Sequence, residues 1–199
     1  VEGQKTGFFL DQRDNRELVA KYAKDKTVLN LFCYTGGFSI YALNAGAKSV
    51  DSVDSSKKAM DLVKENVHLN GFEEGVQHHS YCEDAIEFMR NAAGNKYDMI
   101  VVDPPAFAKH RGALDNALRA YKRLNALAIE KVKPGGLVFC YSCSQVVDKQ
   151  AFALAIFSAA AQTGRKVRIL HRLTQPADHP VSIYHPEGEY LKGLVLLVE

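Results

Sequence analysis

Long hydrophobic runs are missing from this sequence, and none approaches the roughly 20 residues that a membrane-spanning helix needs. The opening residues carry no secretory-leader pattern. Val1-Glu2-Gly3-Gln4-Lys5 instead reads as mid-protein sequence, so a piece of a longer protein is expected. Cysteine is sparse: Cys33, Cys82, Cys140 and Cys143 fall short of a disulfide framework, and a reducing cytoplasm is the expectation. Charge of one sign is also lacking. The net charge of +2 and pI near 8.3 permit a nucleic-acid partner without demanding one. Metal-ligand spacing is absent too. Cys140 and Cys143 have no second pair, and His78, His79, His171, His179 and His185 are scattered, so no metal is expected. No repeat, low-complexity tract or long linker interrupts the chain. What remains is 199 residues, 47% hydrophobic and 24% charged, the profile of one globular domain over residues 1–199.

Strand and helix patterns alternate almost from end to end, which predicts a parallel sheet covered by helices. A leading helix is expected over 13–24, with Leu18, Val19 and Tyr22 as its apolar stripe. A strand over 28–32 then runs into the turn Tyr34-Thr35-Gly36-Gly37, and a short helix stops near Gly46. The second strand spans 49–53 and ends at Asp54. Ser55 or Ser56 caps the next helix, which Asn70-Gly71 stops. A weak third strand is read over 76–79, and Asp84 with Glu87 forms a capping-box-like start. The run Met99-Ile100-Val101-Val102 is of buried-strand type and stops at Asp103-Pro104-Pro105. A long helix over 115–132 closes at Pro134-Gly135-Gly136, followed by a strand over 137–141 and Ser142-Cys143-Ser144. Asp148 caps a helix to Thr163, and segments 166–173 and 191–198 complete the sheet. The fold class read from this order is α/β, a doubly wound, mostly parallel sheet.

In such sheets ligands bind beyond the carboxyl ends of the strands, where strand order reverses. Four unusual strand ends meet that rule: Tyr34-Thr35-Gly36-Gly37, Asp54, Asp103-Pro104-Pro105 and Ser142-Cys143-Ser144. The glycines let backbone approach a ligand, and the following helix N-terminus suits its negative group. An acid such as Asp54, placed after the second strand, can grip the two hydroxyls of a ribose. Together they describe a nucleoside-bearing cofactor. A nicotinamide-linked oxidoreductase would require Gly-x-Gly-x-x-Gly, which this turn lacks.

The stretch Asn30-Leu31-Phe32-Cys33-Tyr34-Thr35-Gly36-Gly37-Phe38-Ser39 resembles motif I of class I methyltransferases, and Asp103-Pro104-Pro105 resembles their motif IV. The match narrows through Thr6-Gly7-Phe8-Phe9-Leu10-Asp11-Gln12-Arg13, Asp103-Pro104-Pro105-Ala106-Phe107, Ser142-Cys143-Ser144, Ala177-Asp178-His179-Pro180 and Tyr190-Leu191-Lys192-Gly193. These are similar to the large-subunit ribosomal RNA cytosine-5 methyltransferase I family over essentially the whole chain. The resemblance implies a seven-stranded Rossmann-like fold, S-adenosylmethionine as cofactor, and methylation of carbon 5 of a cytosine in 23S rRNA. It also implies an RNA-binding PUA-like domain and a hairpin ahead of this segment, and a homodimer is left open. It assigns cofactor contacts to Arg13, Phe32, Tyr34, Thr35, Gly36, Asp54, Ser55, Asp84, Ala85 and Asp103. Asp84 takes the position that meets the adenine amino group. Substrate contacts fall to Pro104, Phe107, Lys109 and His179, and catalysis to Cys143 and Asp103.

The chemistry explains the cysteine. Carbon 5 of cytosine is a poor nucleophile until something adds at carbon 6, and a thiolate is the natural reagent. Cys143 ends a central strand, and Asp103 is placed to bind the nitrogen-3 edge of the base. Ala106 follows the prolines where other RNA cytosine-5 methyltransferases carry a releasing cysteine, so another base must act. Asp178, His179, Glu187 and Glu189 are the candidates. Guanine N7 methylation is the alternative chemistry, against which Cys143 argues, and an RNA-binding module without activity is the non-enzymatic one. Lys109-His110-Arg111 with Arg119, Lys122 and Arg123 would meet RNA phosphates. Arg165, Lys166, Arg168 and Arg172 read as a solvated cluster. Phe107 either stacks on a flipped base or packs the loop.

Overall fold

A computed structural model describes residues 9–108 and 110–199, so Thr6-Gly7-Phe8 and Lys109 lie outside the described residues. Its helices are α1 Arg13–Ala23, α2 Gly37–Asn44, α3 Lys57–Leu69, α4 Ala85–Asn91, α5 Leu114–Lys131 and α6 Lys149–Thr163. Its strands are β1 Thr27–Leu31, β2 Ser49–Val53, β3 His78–Tyr81, β4 Tyr97–Val102, β5 Val132–Ser142, β6 Val167–Leu173 and β7 Lys192–Val198. They form one seven-stranded sheet in the order β3-β2-β1-β4-β5-β7-β6. The first five are parallel, and β7 inserts antiparallel between β5 and β6.

Alternation along each strand divides the core. Leu29, Leu31, Ile100, Val102, Val138 and Cys140 face α4, α5 and α6. Val28, Val50, Met99, Val101, Phe139 and Tyr141 face α1, α2 and α3. Strands buried on both faces read as continuous apolar runs, and that is why β4 stood out in the sequence. Helix starts obey local capping chemistry. Ser56 accepts from Ala59 N, Asp84 from Ile86 N and Glu87 N, and Asp148 from Ala151 N.

Three expectations need correction. Pro134-Gly135-Gly136 does not close the long helix; α5 stops at Lys131 and those residues already belong to β5. The strand tolerates them because its register against β4 shifts between Tyr97 and Met99, and a Cβ on Gly136 would lie 2.6 Å from Val132 Cγ2. The third strand starts at His78, two residues late, and Val76 is exposed in the preceding turn. Arg165 is not a solvated cation. Its Nη1 donates to Ile129 O at 2.6 Å and Val132 O at 2.7 Å, satisfying carbonyls at the α5 terminus.

A buried polar chain crosses one face of the sheet. Asn30 Nδ2 donates to Ser39 Oγ, which pairs with Ser52 Oγ at 2.6 Å, and Ser52 pairs with His78 Nε2 at 2.7 Å. Glu74 Oε2 holds His78 Nδ1 at 2.7 Å. Burial keeps the His78 pKa below its ordinary value. The histidine therefore links β2, β3 and the loop before β3 as a structural group.

Gly193 marks the tightest contact near the site end of β7. A Cβ there would sit 2.8 Å from Tyr141 Cδ1 and 3.0 Å from Leu173 Cβ. Gly193→Ala should therefore destabilise the domain by about 1–3 kcal/mol through overpacking. Urea denaturation checks this, and an unchanged midpoint would refute it.

Candidate active site

The strand order reverses at the β1–β4 pair, and Leu31 stands opposite both Val53 and Val102. The chain segments leaving β1, β2 and β4 therefore emerge level with one another. After β1 the backbone turns sharply through left-handed conformations at Phe32 (φ 56°), Tyr34 (φ 50°) and Gly36 (φ 81°). For the two residues with side chains this costs roughly 1–2 kcal/mol each, and the surroundings must hold them there.

Asp54 does much of that holding. Its Oδ2 accepts Tyr34 N at 3.0 Å, and its Oδ1 accepts Ser56 N at 2.9 Å. Cys33 N donates to Val53 O at 3.1 Å, and Asn66 Nδ2 donates to Thr35 O at 2.9 Å. The turn thus delivers Gly36 as the N-cap of α2, whose first N–H groups face the crevice end of the sheet.

These groups match the donors and acceptors of an adenosyl amino acid. A carboxylate offers about four lone-pair positions, so Asp54 keeps capacity for ribose hydroxyls after its two backbone bonds. Asp84 spends Oδ1 on capping α4, and its side chain is exposed beyond β3. The α2 N-terminus suits a carboxylate. Ser55 is exposed beside Asp54, its carbonyl accepting the Cys82 thiol at 3.7 Å, while Ala85 is buried at the start of α4.

The other half of the crevice carries reactive groups. Asp103 follows β4, and its Oδ1 accepts Gln12 Nε2 at 3.0 Å; Asn15 Nδ2 in turn donates to Gln12 Oε1 at 2.6 Å. Burial first, then the charge of Asp11, lifts the Asp103 carboxyl to about 7, against the Gln12 bond and the Arg16 guanidinium. Cys143 lies just past β5, half-buried, with Sγ 4.0 Å from Pro104 O. Burial pushes its thiol up to about 11, with the charges of Asp103 and Asp11 adding and Lys192 opposing. Ser142 and Ser144 fix the neighbouring chain. Ser142 Oγ donates to Tyr121 Oη at 2.9 Å, and Ser144 Oγ donates to Ala108 O at 2.7 Å. Cys140 is fully buried on the α4–α6 side and takes no part.

Sequence reasoning missed Gln12's bond to Asp103, and it missed Asp11, Tyr190 and Lys192. Lys192 is buried, and its Nζ donates to Ser144 O and Val147 O, both at 2.5 Å, bracing the loop that carries Cys143. A lysine opening the apolar run Leu191–Val198 was the available signal. Tyr190 Oη donates to Asp11 Oδ2 at 2.7 Å.

The remaining expected residues are distributed unevenly. Arg13 pairs with Asp178 at 2.5 Å and Asp14 at 3.2 Å, and Asp178 Oδ1 holds His179 Nδ1 at 3.0 Å. Arg13 and His179 are thereby brought together at the start of α1. The Phe107 ring packs on Tyr121 with centroids 4.8 Å apart. Pro104 is buried beneath Cys143. Among the described residues, no group of three or more His, Cys, Asp or Glu side chains is arranged to hold a metal.

Comparison with known proteins defines the class. A family model described as S-adenosylmethionine-dependent methyltransferase matches residues 1–193. The chain belongs to this family, whose cofactor is S-adenosylmethionine. It is 46% identical over 196 residues to "Ribosomal RNA large subunit methyltransferase I" of Tolumonas auensis, covering 98% of this chain and 49% of that one. The protein of the same name from Vibrio vulnificus is 45% identical over 201 residues, covering 100% and 51%. The chain thus spans about half the length of these curated relatives. The crystal structure of SMU.776 complexed with SAH superposes with a TM-score of 0.87 at 28% identity, covering 99% of this chain and 52% of that one.

Two outcomes follow from this geometry. Asp54→Ala removes the acceptors that hold the turn and the capacity left over for a ribose, so S-adenosylmethionine affinity should drop by about 1–3 kcal/mol in calorimetry. Unchanged affinity would remove Asp54 from the site. For Asp103, a raised folded pKa means that its contribution to stability is present below about pH 4 and lost as pH rises through about 7. Asp103→Asn carries no such dependence. The variant should gain stability relative to the parent between pH 5 and pH 8 in urea melts; a constant difference would contradict the assignment.

Proposed function

We propose that this chain carries the catalytic site of a large-subunit ribosomal RNA methyltransferase, which methylates carbon 5 of a cytosine in 23S rRNA through a covalent adduct with Cys143. The substrate class follows the names of the relatives, and a cytoplasmic location follows from that substrate. One observation carries the chemistry: a half-buried thiol and a carboxyl with a pKa near 7 sit at the ends of the paired strands β4 and β5.

Asp54, Ser55, Asp84, Ala85 and the Phe32–Gly36 turn would hold the cofactor, with Arg13 near its amino-acid end. S-adenosylmethionine supplies an electrophilic methyl group there. On the RNA side, the target base must leave its stack, which costs a few kcal/mol, so unpaired cytosines react more readily. Pro104, Phe107 and His179 would line its entry, Lys109 is assigned to the substrate by the family resemblance alone, and exposed Arg111, Arg119 and Arg123 would meet phosphates in a salt-sensitive way.

Ionisation of Cys143 is unfavourable in the free site, so its proton must move as sulfur adds to carbon 6. Ionised Asp103 is the nearby acceptor, and a carboxyl with a pKa near 7 is suited both to take that proton and to pass it to nitrogen 3. Sulfur addition makes carbon 5 nucleophilic. Guanine N7 is already nucleophilic and needs no thiol, so Cys143 favours cytosine.

Cys143→Ser should abolish methyl transfer while S-adenosylmethionine affinity changes by less than about twofold, because the thiol touches the base and not the cofactor. Wild-type protein with 5-fluorocytosine RNA should form a stable adduct, and Cys140→Ser should still form it. Mass spectrometric mapping of the methylated nucleotide checks the base. A Cys143→Ser protein methylating cytosine at the normal rate would sink the covalent mechanism.

A further inference from the structure

Carbon-5 methylation leaves a proton on carbon 5 that must be removed before the enzyme is released, and no second cysteine is positioned to take it. The four acids and bases suggested by sequence are all otherwise engaged. Asp178 is held between Arg13 and His179, Glu187 pairs with His185 at an exposed edge, and Glu189 binds Lys149 and Thr174.

We propose that Asp11 is the base that removes the carbon-5 proton, with Tyr190 as the residue that positions it. This rests on the cytosine-5 reading above. Asp11 lies in the short 3₁₀ turn Leu10–Gln12, beside the residue whose side chain binds Asp103. Tyr190 comes two residues before Lys192, which pairs with Ser142 in the sheet, so it stands across from the segment bearing Cys143. Its hydroxyl fixes Asp11 Oδ2 at 2.7 Å, yet Asp11 Oδ1 is buried and has no hydrogen-bond partner among the described residues. A buried carboxylate oxygen without a partner costs free energy, and such exceptions invite a functional explanation. The Gln12 bond to Asp103 on one side and the Tyr190 bond on the other hold Asp11 beside Asp103 and Cys143, and its negative charge is felt at both. Tyr190 retains its proton more firmly than an ordinary phenol, through burial and the bond to Asp11, so it serves as donor and Asp11 as acceptor.

Two neighbouring carboxylates then divide the labour, as environments that differ around paired acids allow. Asp103 handles the nitrogen-3 proton and Asp11 the carbon-5 proton. In the release step the carbon-5–hydrogen bond breaks and its proton goes to Asp11. The freed electron pair forms the carbon-5–carbon-6 double bond, and the carbon-6–sulfur bond breaks with its electrons leaving on Cys143 as thiolate. No oxidant or other co-reactant is required.

The test uses the full chain, methyl-labelled S-adenosylmethionine and a cytosine-containing fragment of large-subunit ribosomal RNA. Asp11→Asn should form a labelled, denaturant-stable protein–RNA adduct no more slowly than the parent, since losing the Asp11 charge eases ionisation of Cys143, and then turn over roughly a hundredfold or more slowly, the share a positioned base contributes. Tyr190→Phe, which removes only the anchor, should slow release and enlarge the isotope effect seen with 5-deuterocytosine, while adduct formation is unchanged. Near-normal turnover by Asp11→Asn would overturn the proposal. So would failure of both variants to form an adduct with 5-fluorocytosine RNA while the parent forms one, since the residues would then act before methylation. Absence of an adduct from the parent itself would instead remove the cytosine-5 reading on which the proposal rests.

Discussion

The pairing of β1 with β4 is the constraint on which the site depends. Strands consecutive in space but not in sequence send their following segments to opposite faces, and the gap between those segments becomes the crevice. Because Leu31 is level with both Val53 and Val102, the left-handed turn, Asp54 and Asp103 reach the crevice in one plane. Cys143 follows Cys140, which pairs with Val102, by three residues, about 10 Å along an extended strand. That offset separates functions. The groups proposed for the cofactor lie near the strand ends, and the half-buried Cys143, proposed to meet the base, lies further along its chain segment.

Electrostatics at the outer end is deliberately unbalanced. Asp103 and Asp11 sit near each other, and the positive charge within reach offsets them only in part: buried Arg16 opposes the rise at Asp103, while Lys192 is committed to two carbonyls. Such an arrangement keeps a proton on Asp103 that a water-exposed carboxyl would release, and it makes Cys143 still harder to ionise than a free thiol. The thiol is therefore quiet in the free protein, since the thiolate and not the thiol is the nucleophile. A low-pKa cysteine in the same place would react with oxidants or adventitious electrophiles between substrates.

Much of the architecture was legible because its determinants are local. Ser56, Asp84 and Asp148 cap helices through bonds spanning two or three residues, and β2 and β4 announce themselves by pattern. Asp54, Asp103 and Cys143 were legible for a related reason: strand ends are marked in sequence, and topology carries them to one edge. What escaped notice depends on distance along the chain. Gln12 reaches Asp103 across 91 residues, and Tyr190 reaches Asp11 across 179. No periodicity records such meetings. Arg165 and the Pro134–Gly136 segment failed for a third reason, tertiary contacts overriding local preference. A proline-glycine stop was absorbed into a bulged strand, and a basic cluster lost its first member to helix carbonyls.

The same contrast bears on how the two ends of the chain cooperate. The turn Leu10–Gln12 contributes no strand and little apolar burial, yet it supplies the hydrogen bond to Asp103 and the acceptor for Tyr190. Arg13, the first residue of α1, adds an ion pair to Asp178 in the segment between β6 and β7. This last pair is exposed and worth little on its own. The bonds of Gln12 and Tyr190 are partly shielded and join groups whose charges interact, so their removal would be felt at the carboxylates and not only at the turn. The segment before α1 thus acts as a bracket across the crevice mouth, closing on β4 through one side chain and on the approach to β7 through another. A site assembled from distant segments in this way keeps its acid–base groups in register only while the whole domain is folded.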